Sequence, residues 1–249
     1  MSRLSLLLVI GLAACSPDPQ AGRAPAARGF PRADRPVSKL AGTTFSTEEQ
    51  RDDRNEAMTV MDLAQIRPGM TVADIGAGEG YYTIRLAERV GKDGRVLGED
   101  IDLDAMSRLA NRIEREHLDN AYTKVGTPID PKLPENSFDR IFLVHMYHEV
   151  GEPYAFLWRL RPALRQGGQV IVVDLDRPTD RHGIAPQLLF CEFAALGFRL
   201  SEFVRKPELA GYYAQFTADG TRPEPDQIKP CSQNLIEQPA ASTGTGSVG

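Results

Sequence analysis

The sequence predicts one doubly wound α/β domain, a mostly parallel sheet with helices on both faces. Three observations predict it. Short apolar runs alternate with segments of helical period through the middle of the chain. A glycine-rich turn, Asp74-Ile75-Gly76-Ala77-Gly78-Glu79-Gly80, joins the first such run to a helix. Turns of that kind lie at the carboxyl end of a parallel sheet. Finally, residues 16–45 and 218–249 hold nine of the 18 prolines and lack any apolar period, which marks the domain edges.

Each element follows in order. Ser46-Thr47-Glu48-Glu49 reads as a capping box, and Ala57, Val60, Met61 and Ala64 follow at helical spacing. Met70 to Ile75 is a short apolar strand, as expected for a strand buried on both faces. After the glycine turn a helix runs from Tyr81 to Val90 and is ended by Gly91. Asp93-Gly94 turns the chain into a second strand, Arg95 to Asp100. Asp102 caps a helix whose Leu103, Met106, Leu109, Ala110 and Ile113 share one face. A third strand is expected at Ala121 to Val125 and a fourth at Asp139 to Val144. A helix from Pro153 to Arg165 is read as ending at Gly167-Gly168, with a fifth strand from Gln169 to Leu175. Pro186 to Leu196 is the last helix, and Phe198 to Val204 with Gly211 to Phe216 form a terminal antiparallel pair.

Composition excludes more than it assigns. Lys plus Arg total 29 against 34 Asp plus Glu, a formal charge of −5, so no positive field points to nucleic acid. Three cysteines are too few for a disulfide scaffold.

The amino-terminal segment stands apart. Arg3 precedes an apolar stretch, Leu4 to Ala14, which is too short to span a bilayer. Leu12-Ala13-Ala14-Cys15 resembles the lipobox of bacterial lipoproteins, in which the cysteine becomes the lipidated first residue. Together with the composition of the flanks, that resemblance divides the chain into four regions. Residues 1–15 are a signal peptide, 16–45 an extended, solvated Pro/Ala-rich linker, 46–217 the folded domain and 218–249 a disordered tail. It also implies export, with lipid anchoring at Cys15 to the outer membrane facing the periplasm. Ser16 after the cysteine suits that destination.

The glycine turn does not fit dinucleotide binding, because G-x-G-x-x-G needs glycine where this chain has Tyr81. Asp74, two residues before the first glycine, would repel a phosphate and suit a ligand carrying an ammonium group. Val72-Ala73-Asp74-Ile75-Gly76-Ala77-Gly78-Glu79-Gly80-Tyr81 resembles motif I of the class I S-adenosylmethionine-dependent methyltransferases. Val96 to Ile101, Ser137 to Phe142, Leu164 to Val170 and Ala195 to Phe198 resemble the later motifs of the family in the same order. The resemblance implies a Rossmann-like seven-stranded sheet of order 3-2-1-4-5-7-6 with strand 7 antiparallel. It implies S-adenosyl-L-methionine as cofactor. Asp74 would face the methionine ammonium, Gly76, Gly78 and Gly80 would line its amino-acid part and ribose, and Asp100 would hold the ribose hydroxyls. Thr127 or Asp130 would take the adenine.

On the acceptor side stand His145, Tyr147, His148 and Glu149, directly after the fourth strand. Two imidazoles beside a carboxylate can activate a hydroxyl or thiol. The alternative is a structural turn in which His148 bonds to backbone and Tyr147 packs. The run matches neither common zinc helix pattern, so no metal is expected. His182 lies in a polar loop beyond the fifth strand at the same sheet end. Cys191, among Leu188, Leu189, Phe190 and Phe193, reads as a buried apolar residue, with pairing to Cys231 as the other option. The implied reaction is methyl transfer to a small-molecule or protein acceptor. A non-catalytic binding lipoprotein of the same fold and a nicotinamide-dependent oxidoreductase are the alternatives, the latter disfavoured by Tyr81.

Overall fold

In the computed structural model, which describes residues 20–39, 47–206, 209 and 211–232, the central strand is β1 (Thr71–Ile75). Val72, Ala73 and Ile75 are fully or almost fully buried, because β1 is covered on both faces and flanked by strands on both edges. Its neighbours are β2 (Arg95–Asp100) and β4 (Phe138–Val144), both parallel to it, with Asp74 in register with Gly98 and with Phe142. Outward lie β3 (Ala121–Val125) and β5 (Leu164–Asp174), then the antiparallel pair β7 (Gly211–Ala218) and β6 (Phe198–Lys206). The seven-stranded order is 3-2-1-4-5-7-6, with β7 antiparallel to β5.

The pleat divides the core. Ala73, Ile75, Ile141, Leu143, Val170 and Val172 face α5 (Pro153–Leu160) and α6 (Pro186–Ala195). Val72, Val96, Phe142, Ile171 and Val173 face α2 (Glu56–Leu63) and α3 (Tyr81–Val90). Alternate side chains of one strand therefore serve opposite layers. The short α1 (Glu48–Asp53) precedes α2, and α4 (Leu103–Arg115) follows β2. Asp102 caps α4 as expected, accepting from the amides of Asp104 and Ala105. The capping box at the start of α1 falls one residue later than the sequence predicts. Thr47 and Gln50 form it; Ser46 lies outside the described residues.

Gly167-Gly168 does not end a helix. The helix stops at Leu160 because Pro162 cannot continue it, and β5 starts at Leu164, before the glycines. A Cβ on Gly168 would lie 2.7 Å from the carbonyl oxygen of Phe138, so glycine lets β5 and β4 touch where their register shifts.

The flanks also differ from expectation. Residues 20–39 are not a solvated linker but a strap across the α5–α6 face. Ala27 and Phe30 are buried, and Phe30 packs edge-on against Trp158. Buried Arg23 donates to Glu152 and to the carbonyl of Phe30. Buried Arg35 donates to Glu192 on α6 at 2.7 Å, and the hydroxyl of Tyr147 donates to the same carboxylate at 2.8 Å. The anchors are long-range ion pairs, which leave no apolar period to read. The described residues after β7, 219–232, are likewise docked on the domain. Trp158 donates to the carbonyl of Pro223, Arg222 stacks on Trp158, and Ile228 is buried. Cys231 forms a disulfide with Cys191, which is exposed rather than buried and apolar. The strap and this segment meet in a parallel bridge between Asp34 and Ser232. Leu4 to Ala14, Cys15 and residues 233–249 lie outside the described residues, and no described helix is long and apolar enough to cross a membrane.

The disulfide spans 40 residues, a closure that restricts the unfolded chain by about 4 kcal/mol in the chain-entropy model. The double variant Cys191→Ser/Cys231→Ser is expected to lose about 2–4 kcal/mol of unfolding free energy, seen as a lower urea midpoint. An unchanged midpoint would show that the bridge does not hold the fold.

Candidate active site

The chain leaves β1 through three left-handed glycines, Gly76, Gly78 and Gly80, with φ of 70°, 54° and 91°. This backbone excludes most side chains. A Cβ on Gly80 would also lie 2.3 Å from Leu109 of α4. The turn therefore starts α3 directly after the end of β1. The amide of Ala77 donates to the carbonyl of Glu99, and that of Gly78 donates to the Asp100 carboxylate at 2.9 Å. The amide of Asp102 holds the second oxygen of Asp100 at 3.0 Å. Asp100 is thus oriented at the rim of the β1–β2 crevice, with lone pairs left for a ligand.

Asp74 lies below the turn, 3% exposed, accepting from Thr83 Oγ1 at 2.6 Å. Burial pushes its carboxyl up to about 6 despite the Thr83 hydrogen bond. Glu99 is also buried, at 2% exposure, and its Oε1 finds no hydrogen-bond partner among the described residues. Burial first, then the charges of Asp100, Asp130 and Asp74, push it up to about 9. Glu99 is therefore a neutral acid at neutral pH. The signal for it was an acid next to Asp100 in a buried strand.

The first two helices pack beside the start of α3. Arg51 pairs with buried Glu56 at 2.7 Å and sits 3.8 Å from the Tyr81 ring centre, while Tyr82 donates to Glu56 at 3.2 Å. His145 Nε2 approaches the same carboxylate at 3.5 Å. Burial raises Glu56, but His145 and Arg51 more than reverse it and hold it at about 2. Nothing in the local sequence marked Glu56, because its partners lie on other elements.

The run after β4 is not one cluster. His145, at φ 54°, joins the Glu56 network. Tyr147 is fully buried, bonded to Glu192, with its hydroxyl pushed well above the usual range by burial. His148, in the short 3-10 turn Tyr147–Glu149, turns away from Glu56 and bonds not to backbone but to Asp174 at the end of β5. His182 stands beside it with the rings perpendicular. In the sequence Asp174 is marked only as an acid at the end of an apolar strand. Thr127 and Asp130 face each other in the loop after β3. The Thr127 amide is used by the Asp130 carbonyl at 2.8 Å, and one Asp130 carboxylate oxygen accepts from Lys132.

The methyltransferase domain family matches residues 66–196, more than half of the chain. The chain belongs to that family. The match runs from before β1 to the residue after α6, so this methyltransferase domain contains the glycine turn, Asp100 and the whole run after β4. Among the relatives, a demethylmenaquinone methyltransferase of Bacillus cereus (strain ATCC 10987 / NRS 248) is 26% identical over 140 residues, 56% of this chain and 58% of that protein. The match thus spans less than two thirds of that relative. Two solved structures share the fold. A SAM dependent methyltransferase from Aquifex aeolicus has a TM-score of 0.61 at 21% identity, covering 67% of this chain and 90% of that one. Phosphoethanolamine N-methyltransferase 1 from Haemonchus contortus, in complex with phosphoethanolamine and S-adenosylhomocysteine, has a TM-score of 0.55 at 16% identity, covering 75% of this chain and 47% of that one.

Glu99 gives a pH signature. Its folded value, about 9, exceeds the ordinary 4.5, so its contribution is fully present below 4.5 and is lost as pH rises through 9. Glu99→Gln removes that loss. Relative to wild type, the variant is expected to gain about 1 kcal/mol of stability per pH unit between about pH 5 and pH 8. Parallel denaturation curves at every pH would contradict this.

Proposed function

We propose that this chain is an S-adenosylmethionine-dependent methyltransferase acting by in-line displacement on a small-molecule or protein acceptor. The observation that carries the reading is the crevice between β1 and β2, with Asp100 aimed by the Gly78 and Asp102 amides above buried Asp74. The cofactor, when bound, supplies a methyl group on a sulfonium, already an excellent leaving group. Asp100 would accept from both ribose hydroxyls, the bare backbone at Gly76 and Gly78 would admit the amino-acid part, and Asp74 would meet the ammonium. Thr127 or Asp130, beyond β3, would take the adenine end. The remaining work is alignment, which contributes roughly 7–11 kcal/mol in well-oriented reactions. In its neutral form His145, 3.5 Å from Glu56, would take a proton from an acceptor hydroxyl or thiol. The demethylmenaquinone methyltransferase relative favours a small molecule.

Ligand binding tests this. S-adenosylhomocysteine is expected to bind one site in calorimetry, with Asp100→Ala weakening it at least about tenfold. An ammonium favours ionised Asp74, whose carboxyl sits near 6 in the free protein, so binding should weaken and release a proton as pH falls below that value. Equal affinity in wild type and Asp100→Ala, or no binding at all, would sink the assignment.

The Cys15 lipobox and the Cys191–Cys231 disulfide both favour an exported protein, since disulfides persist in oxidising compartments. Acyl-chain labelling of the expressed protein should be present in wild type and lost in Cys15→Ala. Unlabelled full-length protein in the cytosol would rule out the anchor.

A further inference from the structure

We infer that His148, Glu149 and His182 form a binding site for one divalent metal ion of the zinc or iron(II) class, at the carboxyl ends of β4 and β5. The sequence suggested no metal, because His145 to Glu149 fits no compact ligand pattern and His182 is far along the chain. Folding brings the third ligand in. His148 Nε2 lies 3.9 Å and His182 Nδ1 4.0 Å from Glu149 Oε1, and all three ligand atoms fall within 4.8 Å of one another. Bonds of 2.0–2.1 Å in a tetrahedral site put ligand atoms about 3.4 Å apart. The three groups therefore need to close by roughly half an ångström to somewhat over one, within reach of side-chain rotation.

The support behind the ligands is the stronger argument. His148 Nδ1 is 3.0 Å from both oxygens of Asp174, which is fully buried. A carboxylate there keeps the proton on Nδ1 and leaves the Nε2 lone pair directed at Glu149 and His182. This carboxylate–histidine arrangement orients imidazoles that bind metals. The loop carrying His182 is held from outside: its amide donates to Ser38 Oγ at 3.0 Å, and Ser38 in turn donates to the carbonyl of Thr179. With both imidazoles neutral, as metal ligands must be, Glu149 and Asp174 bring two negative charges that one divalent ion balances. Two nitrogens and one carboxylate select zinc or iron(II) over magnesium or calcium, which take oxygen.

Met146, two residues before His148, packs beside Gly76. The metal would thus sit on the β4–β5 side of the glycine turn, and three protein ligands leave a coordination position for an acceptor oxygen. That use rests on the methyltransferase reading; metal binding itself does not.

The test uses the tag-free full chain, stripped with chelator and titrated with Zn²⁺ by calorimetry and with Co²⁺ by visible absorption. One ion per chain is expected, with Co²⁺ bands of a low-coordinate nitrogen–oxygen site and no displacement by millimolar Mg²⁺. His182→Ala and the near-isosteric Glu149→Gln should each weaken Zn²⁺ at least about tenfold. Asp174→Asn, altering a positioning residue, should weaken it by about 10–100-fold. His117→Ala, at an exposed histidine in the turn after α4, should leave it unchanged. Thermal unfolding of each apo variant identifies any that fails to fold, and Glu149→Gln keeps the test open if the Asp174 variant does. Substoichiometric Zn²⁺ binding, or wild-type affinity in folded Glu149→Gln and His182→Ala, would overturn the site whatever the outcome with S-adenosylhomocysteine.

Discussion

The close approach of the chain at Gly80 to Leu109 is the constraint on which the rest of this structure depends. A Cβ there would displace a Leu109 methyl group, and the φ of 91° disfavours any side chain. Because glycine fits, α3 starts directly after the end of β1, α4 closes against the turn, and the amide of Gly78 reaches Asp100 on the next strand. One backbone turn thus places two helices and shapes the crevice. The polar groups gather around it because they have few other partners. Asp74 reaches Thr83 on α3, and Glu56 collects Arg51, Tyr82 and His145 from three different segments.

The site is electrostatically divided. On the β2 side three acids lie close together, and burial with mutual repulsion raises Asp74 and Glu99. On the α2 side Glu56 is kept ionised, against its burial, by His145 and Arg51. A ligand with a positive end gains most from the first region, where ionised carboxylates lack compensation. The second already has its counter-charges and serves mainly to hold His145 and the first two helices in place.

Much of the fold was legible, and the reasons differ by element. The helix Tyr81–Val90, the strand Arg95–Asp100 and the strand Ala121–Val125 appear with the bounds the sequence implies, because glycine stops, an Asp cap and apolar runs are local signals. Gly167-Gly168 misled because glycine serves equally for a helix end and for close contact between strands. Asp74 and Asp100 were legible through their spacing about one turn. The meeting of His148 with Asp174 and His182 was not, since it depends on which strands become neighbours. The strap was the largest miss: Arg23 and Arg35 look like solvated charges until Glu152 and Glu192 are placed beside them.

Those strap contacts have a consequence for how the chain is made. Arg23 meets its partner 129 residues later, Ser38 meets Thr179 after 141, and Arg35 meets Glu192 after 157. During vectorial synthesis none of these partners exists until most of the domain has emerged, and non-local contacts form late. The strap 20–39 therefore cannot complete its contacts before that stage of synthesis. Its ion pair between Arg35 and Glu192 needs α6, and the Cys191–Cys231 disulfide needs the segment after β7 as well.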